Sequence, residues 1–173
     1  MAPSRKTKEN GLSSILVAVS GETSDEEAVR LACHLLNPGK GDLFVVYVIE
    51  VGRGLPVDAE VAPATARAEE VLKHMEEVTR PFKCNIQAEL LQSRSAGPAV
   101  VQEAVDKQVD AIVLGVGYHE VYGSFSLGET APYLLRTAPC RVILWRDPMS
   151  KLMLGNRQRL DSVHLPSREP ESL

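Results

Sequence analysis

The chain has 173 residues, of which 44% are hydrophobic and 24% are charged, and its formal net charge is −4. These values are typical of one globular domain with some chain left over. The negative charge argues against nucleic acid as the main partner. Residues 43–49 form the longest apolar run, too short to cross a bilayer, and residues 1–10 lack the apolar core of a secretory signal. We therefore expect neither nucleic-acid binding nor direct membrane insertion.

Three cysteines, Cys33, Cys84 and Cys140, lie far apart in the chain and form no C-x-x-C pair. Their odd number and wide spacing argue against structural disulfides and against a zinc site. We expect each thiol to act as a small buried hydrophobic group in a reducing, cytoplasmic compartment.

The first strand and helix are predicted near the start of the chain. Residues 1–10 show no periodicity and are predicted to be a flexible lead, whereas residues 14–20 form a continuous apolar run typical of a strand covered on both faces. Ser24 and Glu27 then match a capping box, which predicts a helix start. The apolar residues that follow at helical spacing are Ala28, Leu31, Ala32, Leu35 and Leu36.

Two further strands and helices are predicted in the middle of the chain. Residues 42–50 form an apolar strand, and residues 51–63 form a loop rich in Gly and Pro. A helix that ends at Pro81 follows, and then a more polar strand over residues 84–91, which is expected near a sheet edge. The buried faces are predicted to be Ala68, Val71, Leu72, Met75 and Val78 on this helix, and Val100, Val101, Ala104 and Val105 on the next one, which starts near Ser95.

The last predicted elements are a strand over residues 110–115, a helix over 126–136 and a strand over 140–145. The alternation of apolar strands and helices ends before residue 148. We therefore predict a folded domain over residues 11–147 and a mostly disordered tail over 148–173. The alternation of strands and helices predicts an α/β fold, an open parallel sheet with helices on both faces. Ligands of such sheets bind at the carboxyl ends of the strands, where the strand order reverses.

A candidate anion site lies between the fourth strand and the following helix. Gly115 closes the strand and Gly128 stands at the helix start, where backbone N–H groups and the helix dipole favour a phosphate. Residues 112–135 contain no Lys or Arg, however, and Ser126 with Glu129 matches a second capping box. The Glu129 carboxylate would then occupy the helix end and repel a phosphate, unless Mg²⁺ bridged the two. Tight ATP binding is therefore not expected.

The chain resembles the universal stress protein family over residues 12–146. The motifs that carry the resemblance are I-L-V-A-V at residues 15–19, Y-V-I-E at 47–50, G-P-A at 97–99 and A-P-C-R-V at 138–142. The resemblance implies a Rossmann-like five-stranded parallel sheet in the order 3-2-1-4-5. It also implies a homodimer formed through the fifth strand, at Val142, Ile143, Leu144 and Trp145.

The ATP-binding members of that family carry G-x2-G-x9-G followed by Ser or Thr. On this sequence the motif falls on Gly115, Tyr118, Gly128 and Glu129, with Gly117 one place before the missing second glycine. Tyr118 would be strained if the turn needed a positive φ there, in which case Gly117 or Gly123 could supply it. Ser20 stands where the family commonly has an acidic residue, and Val48 matches the apolar position that flanks adenine. The candidate set is completed by the neighbours Gly21 and Thr130.

We therefore expect a cytoplasmic, homodimeric binding or regulatory module with a degraded nucleotide site, acting without turnover through conformation or a protein partner. No G-x-S-x-G elbow or other nucleophile motif is present, so an enzyme is not expected. One alternative is an ATP-binding stress-response switch with slow hydrolysis, which the retained Gly115, Gly128 and Val48 favour. A second alternative is a regulatory partner of a membrane transporter, because domains of this family occur fused to such proteins.

Overall fold

The computed structural model describes residues 11–121 and 124–148, except for the side chains of residues 120 and 121. The predicted lead and nearly all of the predicted tail lie outside the described residues. The strands are β1 Ser14–Val19, β2 Asp42–Glu50, β3 Asn85–Ser93, β4 Ala111–Val116, β5 His119–Val121, β6 Ser124–Ser126 and β7 Arg141–Arg146. The helices are α1 Thr23–Leu35, α2 Ala62–Thr79, α3 Ala96–Asp106 and α4 Thr130–Thr137, with a 3₁₀ turn at Arg80–Phe82.

Five of these strands form a parallel sheet in the order β3-β2-β1-β4-β7. This confirms the predicted order, with β7 as its fifth strand. Central strand β1 is apolar on both faces because both faces are covered: Ile15, Leu16 and Val17 are fully buried. The edges of the sheet are β3 and β7.

Helices cover the sheet on both faces, and each pair encloses one core. Val17 and Val113 belong to the core beneath α1 and α2, which contribute Val29 and Met75. Leu16, Ile112, Val100 and Leu134 belong to the other core, beneath α3 and α4. The strand order therefore reverses between β1 and β4, because β1 leads into the first layer and β4 into the second.

Two details of the predicted helices are wrong. Ser24 is not a cap, because α1 begins at Thr23 and buries Ser24 in its first turn; the cap residue is Glu22, whose N–H donates to the Asp25 carboxylate. Val105 is 47% exposed rather than part of the buried face of α3. The predicted burial of Val100 and Ala104 on the same helix is confirmed, at 0% and 2% exposed.

The connection between β4 and α4 also differs from the prediction. Where a loop was expected, β5 and β6 pair as an antiparallel hairpin. The following helix begins at Thr130 rather than at Ser126, which lies in β6. Within the described part of the chain, no helix has the length and apolar character needed to span a membrane.

Candidate functional site

The carboxyl ends of β1 and β4 meet at the point where the strand order reverses. Ala18 of β1 lies opposite Leu114 of β4, so Ser20 and Gly21, just after β1, stand beside the β4 end that contains Gly115. A Cβ atom at Gly115 would lie 2.6 Å from the carbonyl oxygen of Ser24. A real Cβ atom does not approach a carbonyl so closely, so glycine is what lets the first turn of α1 reach the sheet here. The turn after β1 and the loop after β4 therefore lie side by side.

The turn after β1 is closed by a buried carboxylate. Asp25 is only 1% exposed, and its Oδ2 accepts the backbone N–H groups of Ser20 at 2.8 Å, Gly21 at 2.8 Å and Glu22 at 3.0 Å. Burial raises the pKa of the Asp25 carboxyl above its usual value, and the three N–H groups oppose that rise. Three donors at the end of β1 are therefore already bound by an internal anion.

The sequence interpretation missed this role of Asp25. Asp25 belongs to an acidic run at residues 25–27, and such a run in the first turn of a helix complements the helix dipole without any further role. The sequence signal that could have found it is the pair Glu22 and Asp25, which have capping-box spacing just as Ser24 and Glu27 do. Glu26 in the same run bonds elsewhere: hydrogen bonds from Arg30 and then His74 lower the pKa of its carboxyl. In the described ranges, no group of three His, Cys, Asp or Glu side chains is placed to hold a metal ion.

The hairpin after β4 is held to the end of β7 by aromatic contacts. The rings of Tyr118 and Phe125 stack at 5.3 Å, and the Arg146 guanidinium lies 5.8 Å from the first ring centre and 6.0 Å from the second. Such cation–π contacts are worth about 0.5–1 kcal/mol each at exposed sites. Neither Tyr118 nor Gly117 adopts a positive φ. The tyrosine therefore fits its turn without strain, and the atoms nearest to a Cβ atom at Gly117 belong to the His119 side chain, with Nε2 at 2.8 Å.

The start of α4 keeps its glycine but has no side-chain cap. Gly128 has φ +67°, a left-handed conformation that favours glycine, and its N–H donates to Ser126 Oγ at 3.1 Å. Glu129 is the cap residue, yet its backbone is already helical (φ −97°, ψ −34°) and no side-chain capping bond forms. The predicted capping box of Ser126 and Glu129 is therefore wrong. Because the helix starts at Thr130, Ser126 lies too far back to reach the first-turn donors.

A cleft of about 310 Å³ opens between the amino-terminal ends of α3 and α4. The end of β2 contributes Glu50, whose Oε1 accepts the N–H of Ala96 at 2.6 Å and so caps α3. Of the predicted set, Glu129 and Thr130 line this cleft, while Val48 is half-buried against the core beneath α3 and α4. The lining residues are Glu50, Ser95, Gly97, Glu129, Thr130, Pro132, Tyr133 and Arg136.

One cation near the turn after β1 comes from a distant part of the chain. A Cβ atom at Gly21 would lie 3.5 Å from Nη2 of Arg67, which is exposed on α2. Sequence reasoning missed Arg67 because nothing in the spacing of an outward-facing helix residue reports which loop it reaches. Beside it, His119 Nε2 lies 3.9 Å from the exposed Glu22 carboxylate. The strand ends thus combine the arginines Arg67, Arg136 and Arg146 with the exposed carboxylates Glu22, Glu50 and Glu129.

The whole folded region, residues 12–146, matches the model of the universal stress protein family. The chain belongs to the universal stress protein family. It is 25% identical over 146 residues to a universal stress protein of Methanocaldococcus jannaschii, an alignment that covers 81% of this chain and 85% of the relative. The resemblance on which the sequence analysis relied is thereby confirmed.

Solved structures of the family share the fold. A universal stress protein from Archaeoglobus fulgidus superposes with a TM-score of 0.64 at 22% identity, covering 76% of this chain and 96% of that one. The Archaeoglobus fulgidus protein in complex with dAMP gives 0.61 at 21% identity, with coverage of 76% and 95%. An Arabidopsis thaliana family protein with AMP bound gives 0.59 at 15% identity, with coverage of 79% and 92%. At these identities the similarity shows the fold alone.

Proposed function

We propose that this member of the family is a cytoplasmic, homodimeric regulatory module that acts without turnover and binds ATP weakly or not at all. The observation that carries the proposal is the Asp25 carboxylate, which accepts three backbone N–H groups at the end of β1. A phosphate approaching this turn meets an anion that already holds the donors. If a phosphate displaced the Asp25 carboxylate, that buried group would lose its hydrogen bonds. Each lost partner costs about 1–3 kcal/mol, so the total is several kcal/mol.

The carboxylates around the site act in the same direction, and the cations of Arg67 and Arg136 oppose them. The exposed carboxylates of Glu22, Glu50 and Glu129 lie around the strand ends. Two like charges about 5 Å apart repel by roughly 3 kcal/mol at an effective dielectric of about 20, and by less where solvent screens them. The helix dipole at α4 offers only about 0.3–1 kcal/mol to a nearby anion. The repulsion from the carboxylates therefore outweighs the attraction of the helix.

Calorimetric titration of the full chain with ATP and Mg²⁺ tests this proposal. We expect no saturable heat with ATP at micromolar protein. A parallel titration with AMP tests whether a nucleotide with a single phosphate still binds. Binding of AMP without binding of ATP would support rejection of the triphosphate and would place the defect at the carboxylates. Micromolar affinity for ATP with Mg²⁺ would overturn the proposal.

The second candidate is an ATP-binding stress-response switch with slow hydrolysis. Two observations favour it: Gly128 keeps the left-handed conformation at the start of α4, and Arg67 supplies a cation beside Gly21. The related structures that contain dAMP and AMP also motivate it. Freshly purified protein distinguishes the candidates, because a switch of this kind retains nucleotide that can be released by denaturation and detected by absorbance. Protein free of nucleotide supports the regulatory module.

A further inference from the structure

Two cysteines that are far apart in the sequence lie side by side in the fold. Cys33 and Cys84, 51 positions apart, have their Sγ atoms at 3.7 Å. Cys33 stands in the last turns of α1 and is 9% exposed, whereas Cys84 is half-buried and directly precedes β3. A disulfide has a sulfur–sulfur distance of about 2.05 Å. The two sulfur atoms therefore need to move closer to each other by about 1.7 Å to form a disulfide.

The segment that carries Cys84 is able to make that movement. Cys84 is one of two residues between the 3₁₀ turn Arg80–Phe82 and β3, and the other, Lys83, has a left-handed backbone with φ +53°. The turn stays in contact with α1, because the rings of Phe82 and His34 meet edge to face at 5.0 Å. The thiols are thus held together by their surroundings, and a short irregular connection can absorb the displacement.

We propose that Cys33 and Cys84 form a reversible disulfide when the protein meets a peroxide, so that oxidation links the end of α1 to the start of β3. The Cys84 thiolate attacks hydrogen peroxide, the O–O bond breaks, and Cys84 becomes a sulfenic acid while hydroxide takes up a proton to leave as water. The Cys33 sulfur then attacks the Cys84 sulfur, the S–O bond breaks, and the proton of Cys33 leaves with that oxygen as a second water. The two thiols are oxidised by two electrons and the peroxide is reduced by two.

The order of the two steps follows from the surroundings of each thiol. Burial, and then the neighbouring Cys84, raise the pKa of Cys33 to about 12, so its thiolate is scarce at neutral pH. Cys84 is the more accessible of the pair and is the one that a peroxide reaches first. Cys33 acts afterwards, as the resolving thiol beside it.

Cys140 is a matched control inside the same chain. Burial also raises the pKa of its thiol, but Cys140 packs against the core beneath α3 and α4, while Cys33 and Cys84 pack on the opposite face of the sheet. The sheet therefore separates Cys140 from the proposed pair. We expect it to stay reduced under conditions that oxidise the other two.

Mass spectrometry of the peroxide-treated full chain tests the proposal. We expect a loss of two hydrogen atoms, one thiol available for alkylation after denaturation instead of three, and a non-reduced tryptic digest in which peptide 31–40 is joined to peptide 84–94 while peptide 137–141 is free. Dithiothreitol restores all three thiols. Oxygen addition at Cys84 with no bridge, disulfide-linked chains, or three intact thiols would each overturn the proposal.

Two variants make the result independent of any folding defect. Cys84→Ser changes the more exposed thiol and Cys140→Ser the control; we expect the bridge to be lost in the first and kept in the second. A bridge that closes a loop of this length restricts the unfolded chain, so we also expect oxidation to raise the Tm of the wild type and of Cys140→Ser by several degrees, and that of Cys84→Ser not at all. A Tm that does not rise when the bridged peptide forms would contradict a linkage made in the native fold. The proposal stands apart from nucleotide binding, so either can fail alone.

Discussion

The carbonyl oxygen of Ser24 lies where a side chain at Gly115 would have to begin, 2.6 Å from an ideal Cβ position. The carbonyl carbon of Ser24 is 2.7 Å from the same position, so the obstacle is backbone and cannot rotate away. This contact joins the first turn of α1 to the end of β4 at the reversal of the strand order. Gly115 therefore serves the packing of the fold whether or not a phosphate binds beside it.

Gly115→Ala should destabilise the protein by about 1–3 kcal/mol or more, because α1 must move off the sheet to admit a methyl group. Urea unfolding followed by circular dichroism measures the change. Gly117→Ala is the matched control. The atoms nearest to its new methyl group belong to the exposed His119 side chain, which can rotate away, and we expect a loss below about 0.5 kcal/mol. Equal losses in the two variants would show that the contact with Ser24 relaxes freely.

The centre of the sheet was predictable from sequence because strands β1 and β2 are buried apolar runs. The runs that became β1 and β2 are long, continuous and bounded by Asn, Pro and Gly, and their burial leaves little choice of structure. The start of α1 was harder, because Ser24 with Glu27 and Glu22 with Asp25 both fit a capping box. The second pair forms because its carboxylate also reaches the N–H groups of Ser20 and Gly21, a contact set by where β1 ends.

The hairpin after β4 was beyond local reasoning for a different reason. Its strands have three residues each, and its stacked pair Tyr118 and Phe125 is completed by Arg146, at the far end of the folded chain. A contact between residues so distant in sequence leaves no periodicity to read. The same holds for Arg67, which lies on α2 and reaches Gly21 in the turn after β1. The strand ends that form the site were therefore predictable from sequence. Of its charged residues, Glu129 was predicted, whereas Arg67 and Arg146 were not.

Gly128→Ala should cost about 1–2 kcal/mol through its backbone alone. Gly128 has φ +67°, which an alanine adopts with strain, while the space around its Cβ position is open. Gly128→Asn should cost less, because asparagine tolerates this conformation. Gly52→Ala is the control, at a position that is equally open but has no positive φ, and should change the free energy of unfolding by less than about 0.5 kcal/mol. Thermal and urea unfolding provide the measurement; an unaffected Gly128→Ala would argue against a left-handed turn here.

Asp25 should give the protein a distinctive dependence on pH. Burial raises the pKa of its carboxyl, so the folded protein holds the proton more tightly than the unfolded chain does. The contribution of Asp25 to stability is then greatest below its unfolded pKa of about 3.9 and falls as pH rises through the higher folded pKa. Asp25→Asn cannot titrate, so the stability of the wild type relative to this variant should decline over that interval.

Urea unfolding of the wild type and Asp25→Asn at closely spaced pH values, from about 3.5 to 7, provides the comparison. Glu76→Gln removes an exposed carboxylate from α2 and is the control for the loss of one negative charge. If instead the stability of the wild type relative to Asp25→Asn increases with pH, the N–H groups of Ser20, Gly21 and Glu22 outweigh burial and lower the pKa of the Asp25 carboxyl.

Dimerisation through β7 should double the mass of the 18.9 kDa chain in sedimentation at micromolar concentration. In the described sheet β7 pairs only with β4 and presents its other edge for pairing with a second copy. Hydrogen exchange locates the interface, because amides from Val142 to Trp145 that point away from β4 become protected only in a dimer of this kind. The outer amides of β3, the opposite edge, serve as the internal control and should exchange quickly. A monomer, or protection confined to β3, would exclude the β7 interface.

Glu129→Ser should make ATP with Mg²⁺ bind more tightly if charge is what weakens the site. The variant removes an exposed carboxylate from the start of α4 and restores the hydroxyl residue of the family motif. Allowing for solvent screening of the repulsion, we expect affinity to rise by about 5- to 30-fold, measured by calorimetry at low ionic strength. Glu77→Ser makes the same charge change near the carboxyl end of α2, in a different helix, and should leave the affinity for ATP unaltered. If neither variant binds ATP, the three donors held by Asp25 become the dominant obstacle, because they are untouched in both.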